Sequence, residues 1–165
     1  MAEVIHIKGL RELDQVLQQF PEKYRKNVMR GAMRAGMNVV KPDAQSRIRN
    51  RSGLLAKGLR VSTKVQGSRV LSRLRATGRH RSIAHLVEYG TKAHIIRPRK
   101  GKFLYFGGRF LTQIQHPGAR PYPFMRPALD KNKGTAVMAV AEYSRNRLAT
   151  QKGIDVPEVR LEGDE

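Results

Sequence analysis

The chain has 165 residues, room for one domain with a modest core, and a formal charge of +20 with a sequence pI of about 11.2. It contains no cysteine, which excludes disulfides, thiolate catalysis and cysteine–zinc sites. Aromatic content is only 6%, low for a monomer of this size, so neighbouring subunits are expected to share in stabilising the fold.

The charge is unevenly placed. Residues 153–165 carry five acids (Asp155, Glu158, Glu162, Asp164, Glu165) against Arg160, so this tail has −4, which leaves +24 on residues 1–152. Between Asp43 and Asp130 the only carboxylate is Glu88. Such a field must meet anions: nucleic acid, an acidic protein surface, or the chain's own tail. The start, Met-Ala-Glu-Val-Ile, lacks the basic lead and apolar run of a signal peptide. No stretch approaches the roughly 20 apolar residues of a membrane span. A soluble protein made in a cytoplasm is expected, with no membrane partner.

Along the chain, Val4-Ile5-His6-Ile7 reads as a short strand broken by Gly9. Leu10, Leu13, Val16, Leu17 and Phe20 have helical spacing, predicting a helix over Leu10–Phe20. Pro21 suits the first turn of a second helix, whose stripe is Tyr24, Val28, Ala32, Ala35 and Val39, widened by Met29, Met33 and Val40. Gly31 and Gly36 would let another helix approach closely. Pro42 should kink or interrupt this helix, which then resumes through Ile48 and ends before Ser52-Gly53. Leu54–Leu59 is a helical turn or the start of a strand.

Val61, Thr63 and Val65, then Val70, Ser72, Leu74 and Ala76, alternate on either side of Gln66-Gly67-Ser68 and predict a β-hairpin. Its other face carries Arg60, Lys64, Arg69, Arg73 and Arg75. A basic loop over Gly78–Ser82, with Arg79 and Arg81, leads to a short helix, Ile83–Tyr89, capped by Gly90. Ile95 and Ile96 start a new strand. Lys102–Phe106 and Phe110–Ile114 flank Gly107-Gly108, a second hairpin signal. His116–Pro127 is a proline-rich extended strap, and Phe124 to about Gln151 is the last helix, with Ala128, Leu129, Ala136, Val137, Val140, Ala141, Ser144 and Leu148 on one face and Gly134 as a weak point. The expected fold is α+β: N-terminal helices and a long C-terminal helix packed on a small, mainly antiparallel sheet built from hairpins. Residues 1–152 form one domain, and residues 153–165 an acidic flexible tail.

Little here looks catalytic. The paired carboxylates of glycosidase chemistry are missing from the centre, as is the carboxylate cluster of a metal nuclease. The histidines, His6, His80, His85, His94 and His116, follow no metal-ligand spacing. No Gly-x-Ser-x-Gly elbow occurs, and no Gly-Lys-Ser/Thr follows Gly107-Gly108. No catalytic residue, cofactor or metal is therefore assigned. The cations Arg60, Lys64, Arg69, Arg73, Arg75, Arg79 and Arg81 are the candidate contact with an anionic partner; the simpler reading is a solvated face. Stacking aromatics are absent from residues 25–88, which include this basic run, and no nucleic-acid motif is recognisable, which weighs against a dedicated nucleic-acid module. Glu88, alone among cations, should stay ionised and paired, in an intramolecular or subunit-to-subunit ion pair that fixes the Gly90 turn. The alternative is an ordinary surface glutamate. Tyr89 and Phe124 read as core aromatics. Pro121, Pro123 and Pro127 read as structural, keeping the strap out of a helix until Pro127, which suits a helical first turn.

Several short motifs occur in a fixed order. Ser52-Gly53-Leu54-Leu55 precedes the hairpin, Val87-Glu88-Tyr89-Gly90-Thr91 follows it, and Pro123-Phe124-Met125-Arg126-Pro127-Ala128 leads into the last helix. With these, residues 5–148 resemble the neck proteins of tailed bacteriophages, also known as tail-completion or head–tail joining proteins. The resemblance implies a non-enzymatic virion protein at the head–tail junction. It would form a ring with itself, of six copies or twelve. It would touch connector, head-closure or tail-terminator proteins, with DNA passing through the channel. The basic loop around Arg79-His80-Arg81 and the acidic tail lie outside the family's pattern. The alternative function is a basic nucleic-acid-binding protein without a virion role.

Overall fold

Steps of four in the first third of the chain build one long helix with a narrow, small-residue seam. The computed structural model describes residues 7–49, 52–99 and 101–150, and positions 158, 160 and 161. A two-residue strand β1 (Ile7–Lys8) precedes α1 (Leu10–Gln18) and α2 (Glu22–Arg47); the remainder of the expected first strand lies outside the described residues. The buried residues of α2 are Val28, Ala32, Gly36, Val40 and Ala44. The expected stripe therefore shifts after Ala32: Ala35 and Val39 are only half-buried. A glycine adds nothing to an apolar stripe, so Gly36 enters the seam through the close approach it permits rather than through the periodicity.

That seam receives α5 (Met125–Ala149). A Cβ on Gly36 would lie 2.7 Å from Val140 Cγ2 and 2.8 Å from the Ala136 carbonyl oxygen, and one on Gly31 would overlap the Tyr143 ring. The close approach these glycines permit is thus taken up by α5. Pro42 does not interrupt α2, which runs on to Arg47. Its ring removes one N–H from the helix ladder, freeing the Asn38 carbonyl. Pro42 and Asn38 both face solvent, where water can satisfy that carbonyl.

A single turn, α3 (Leu54–Lys57), leads into β2 (Leu59–Gln66), which pairs antiparallel with β3 (Arg69–Ala76) in the expected hairpin. Val61, Val65, Val70 and Leu74 are half-buried on the side facing α2, and the cations alternate with them. Helix α4 (Arg81–Tyr89) begins two residues earlier than expected. Next come β4 (His94–Ile96), β5 (Leu104–Phe106), β6 (Arg109–Leu111) and β7 (Ile114–His116). They form nested hairpins, β4 with β7 and β5 with β6, closed by Gly107 and Gly108 at φ 58° and 78°. A last strand, β8 (Arg160–Leu161), pairs with β1; the other tail residues apart from Glu158 lie outside the described residues. The fold is α+β, and among the described residues its strands form four two-stranded antiparallel ladders.

The core has two centres. One gathers Val40, Ala44, Ile48, Leu55, Leu59, Ala76, Ala84, Phe124 and Ala128 around the start of α5. The other gathers Leu13, Leu17, Val28, Ala141 and Leu148 around its far half. Of the face expected for α5, Ala128, Ala141, Ser144 and Leu148 are buried, whereas Leu129 and Val137 are exposed. Buried Ser144 donates its hydroxyl to the Val140 carbonyl at 2.9 Å.

Candidate functional site

The two motifs thirty residues apart meet in one junction. Helix α4 stops at Gly90, whose φ of 73° and ψ of −175° lie in a region essentially reserved for glycine. A Cβ there would stand 2.6 Å from the Ala119 carbonyl oxygen and 2.8 Å from the Pro121 nitrogen. The strap runs that close because it is stitched to the turn. Thr91 and Ala119 exchange backbone hydrogen bonds of 2.9 and 3.0 Å, and the Tyr122 N–H donates to the Val87 carbonyl at 2.8 Å.

Glu88 completes the junction. Its side chain is buried, and its carboxylate accepts the backbone N–H groups of Phe124 (2.8 Å), Met125 (3.0 Å) and Arg126 (3.2 Å). These are donors at the start of α5, where Phe124 is the cap residue and offers no capping side chain. The next residue, Pro127, has no N–H. All four orphan donors of the helix start are therefore accounted for, three by Glu88 and the fourth by proline. Within the chain, the Glu88 carboxylate meets the positive end of a helix. A buried carboxylate with three N–H donors needs no side-chain cation.

Tyr89 is not a core aromatic: it is 62% exposed, and the Arg126 guanidinium lies over its ring, 4.6 Å from the centroid. The contact with Tyr89, with a smaller contribution from the Glu88 charge, holds Arg126 above its ordinary pKa. Phe124 is fully buried, as expected. Tyr122 is covered by Arg49, which lies 4.4 Å over its ring and donates to its hydroxyl at 3.2 Å. Pro121 and Pro123 are exposed within the extended strap, and Pro127 sits in the first turn of α5.

The cationic face is the second feature. Lys64, Arg69, Arg73 and Arg75 are exposed on the outer side of the hairpin, with Arg75 directly opposite Arg60. Arg60 is partly committed elsewhere: its guanidinium donates to the Lys57 carbonyl at 2.7 Å, closing the end of α3. Arg75, Arg79 and Arg81 converge on a cavity of about 330 Å³ beside Thr77, Gly78 and Ser82. Among the described residues no carboxylate forms an ion pair with Lys64, Arg69, Arg73, Arg75, Arg79 or Arg81. Like charges held this close store repulsion that an anion would relieve.

Residues 11–90 match the family model described as "Bacteriophage HK97-gp10, putative tail-component". Over these residues, just under half of the chain, the protein is similar to the HK97-gp10-like family. That description is of a phage tail component, and the likeness supports a structural role in a phage. No curated protein and no solved structure matches the chain. The HK97-gp10-like region runs from α1 to Gly90, so the strap and α5, which Glu88 joins to it, lie beyond the matched residues. No described helix is long and apolar enough to cross a membrane, and among the described residues no group of His, Asp or Glu could hold a metal ion.

One feature escaped sequence reasoning. Phe103, Tyr105, Phe106 and Phe110, four of the chain's ten aromatics, are all exposed on the β5–β6 hairpin. Their crowding around Gly107-Gly108 was the available signal, but a hairpin with alternating apolar residues normally buries one face.

Proposed function

We propose that the protein forms or completes a ring at the head–tail junction of the virion, through which DNA passes, and that it acts by assembly rather than catalysis. The match of residues 11–90 to a phage tail-component family carries this reading. The cationic hairpin and the exposed aromatic ladders support it, since both are surfaces that need partners. Six copies suit the six-fold tails of this class of phage, and twelve suit its portals. Neighbouring rings, connector or head-closure on one side and tail terminator on the other, are the partners. The Glu88 junction holds the strap and the start of α5 rigid beneath the surfaces that meet them.

Mass photometry of the purified protein, alone and after adding portal complexes, tests this. A discrete oligomer of six or twelve chains without nucleic acid is expected. A second reading, a basic nucleic-acid binder with no virion role, draws on the cavity between Arg75, Arg79 and Arg81. A monomer that associates only on duplex DNA would favour that reading and overturn the first.

A further inference from the structure

A continuous track of cations runs along the outer face of the β2–β3 hairpin. The cavity of about 330 Å³ bounded by Arg75, Arg79 and Arg81 lies where β3 gives way to α4. A shallower cleft of about 80 Å³ lies on the hairpin itself, lined by Ser62, Lys64, Gln66, Leu71, Arg73 and Arg75. Arg75 belongs to both, so the two hollows adjoin. Alternate residues of a strand stand about 6.8 Å apart on one face, which makes Arg73 and Arg75 successive steps along the track.

What occupies the track must be anionic. Among the described residues neither a carboxylate nor an aromatic ring lines either hollow. Between Asp43 and Asp130 the sequence offers only Glu88, which is buried and spent on the start of α5. An acidic protein surface would call for apolar anchors beside the charges. Leu71 is the one large apolar side chain lining the two hollows, whereas Phe103, Tyr105, Phe106 and Phe110 stand at the β5–β6 hairpin. The larger cavity has the volume of a small-ligand pocket, room for a phosphate together with its sugar. Arginine meets phosphate with two parallel hydrogen bonds, and Ser62 and Gln66 add neutral donors of the kind that hold a nucleic-acid backbone.

We infer that Arg75, Arg79 and Arg81 together hold one phosphate of a DNA strand, and that Lys64 and Arg73 hold its neighbour. The outer face of the hairpin is then the surface turned toward the DNA. With no ring to stack on a base and every contact on the backbone, the grip carries no sequence information. That suits DNA which moves past the protein rather than being read by it. This inference rests on the reading that DNA passes through a ring of this protein, and it names the face that the DNA meets.

Fluorescence anisotropy with a short DNA duplex, repeated across salt, tests the shared phosphate. Arg79→Gln with Arg81→Gln should weaken binding by at least about tenfold. Each single substitution should cost nearly as much as the pair, because both act on one phosphate. The logarithmic salt slope should fall by about 0.9, the value for one phosphate rather than two. Lys23→Gln with Arg34→Gln removes the same charge from exposed sites on α2 and should cost less than about threefold. Arg79 and Arg81 are exposed, so circular dichroism melting should match the parent, and Arg79→Lys with Arg81→Lys should restore the slope. An unchanged slope, single losses that simply add, or an α2 control as damaging as the pair would overturn the site. So would a parent that prefers polyglutamate to the duplex at equal salt, which would assign the cations to an acidic protein. Mass photometry separates the site from the ring. A double variant that assembles like the parent and binds DNA equally well removes the site alone. A parent that stays monomeric beside portal complexes removes the ring, and anisotropy on that monomer still decides the site.

Discussion

Glu88 and Phe124, thirty-six residues apart in the chain, are joined by a 2.8 Å hydrogen bond from the Phe124 backbone N–H to Glu88 Oε2. The bond makes one helix end the cap of another helix's start. It couples the HK97-gp10-like region to the strap and α5, so the junction is held from the matched segment outward.

Replacing Glu88 with Gln keeps one carbonyl acceptor but removes the charge and turns an amide N–H₂ toward backbone donors. Hydrogen bonds to charged groups and helix caps are each worth about 1–2 kcal/mol. Glu88→Gln should destabilise the fold by roughly 1–3 kcal/mol and reduce assembly. Glu158→Gln, which loses an exposed pair with Arg160, should melt with the parent. Chemical denaturation of both variants decides the matter; equal midpoints would show that the cap carries no stability.

Gly90→Ala puts a Cβ into the Ala119 carbonyl and a non-glycine residue into a glycine-only conformation. A loss of about 2–4 kcal/mol is expected. Gly107→Ala is the control, since its φ is also positive but nothing lies within 4 Å of its Cβ. Thermal melts should place Gly90→Ala well below Gly107→Ala. The reverse order would mean that the strap yields to the methyl group.

Asp43 ties α2 to α5. Its carboxylate accepts from Arg47 Nε at 2.9 Å and from Asn132 Nδ2 at 3.2 Å, with Lys131 Nζ at 3.9 Å. The hydrogen bond from Arg47 above all, aided by Lys131 and Asn132, holds its pKa below the ordinary aspartate value. A depressed folded-state value means stability that is present above the unfolded pKa and lost as pH falls through the folded one. The parent should melt higher than Asp43→Asn above about pH 5, with the gap closing below roughly pH 4. A gap independent of pH would show that the asparagine perturbs packing rather than charge.

Arg73→Gln with Arg75→Gln probes the cationic face. Both side chains are exposed, so circular dichroism melting should be unchanged. Binding to a short DNA duplex, measured by fluorescence anisotropy, should weaken, and its logarithmic salt slope should fall by up to about 0.9 per lost phosphate contact. An unchanged slope would assign these arginines to solvent. Collapse of the melt would assign them to the fold.

Periodicity made most elements legible. The β2–β3 hairpin was readable because Val61, Val65, Val70 and Leu74 alternate with charges, and α1 because its leucines recur in helical steps. The seam of α2 was only half readable. Gly36 packs by having no side chain, and the continuation through Pro42 depends on Asn38 facing solvent. For α5, Leu129 and Val137 have the right spacing, but no element among the described residues covers them.

The sequence by itself determined that the chain is α+β and strongly cationic, and that Glu88-Tyr89-Gly90 and the proline strap are its unusual stretches. These follow from residue type and spacing, which act locally. Only the tertiary structure decided what Glu88 pairs with. The choice between a side-chain cation and a helix N-terminus depends on which donors are brought within hydrogen-bond distance inside a buried site, and a backbone N–H carries no mark in a sequence. The exposure of the β5–β6 hairpin was decided in the same way: alternation shows that a hairpin has two faces, but whether either is buried depends on what the rest of the chain places against it.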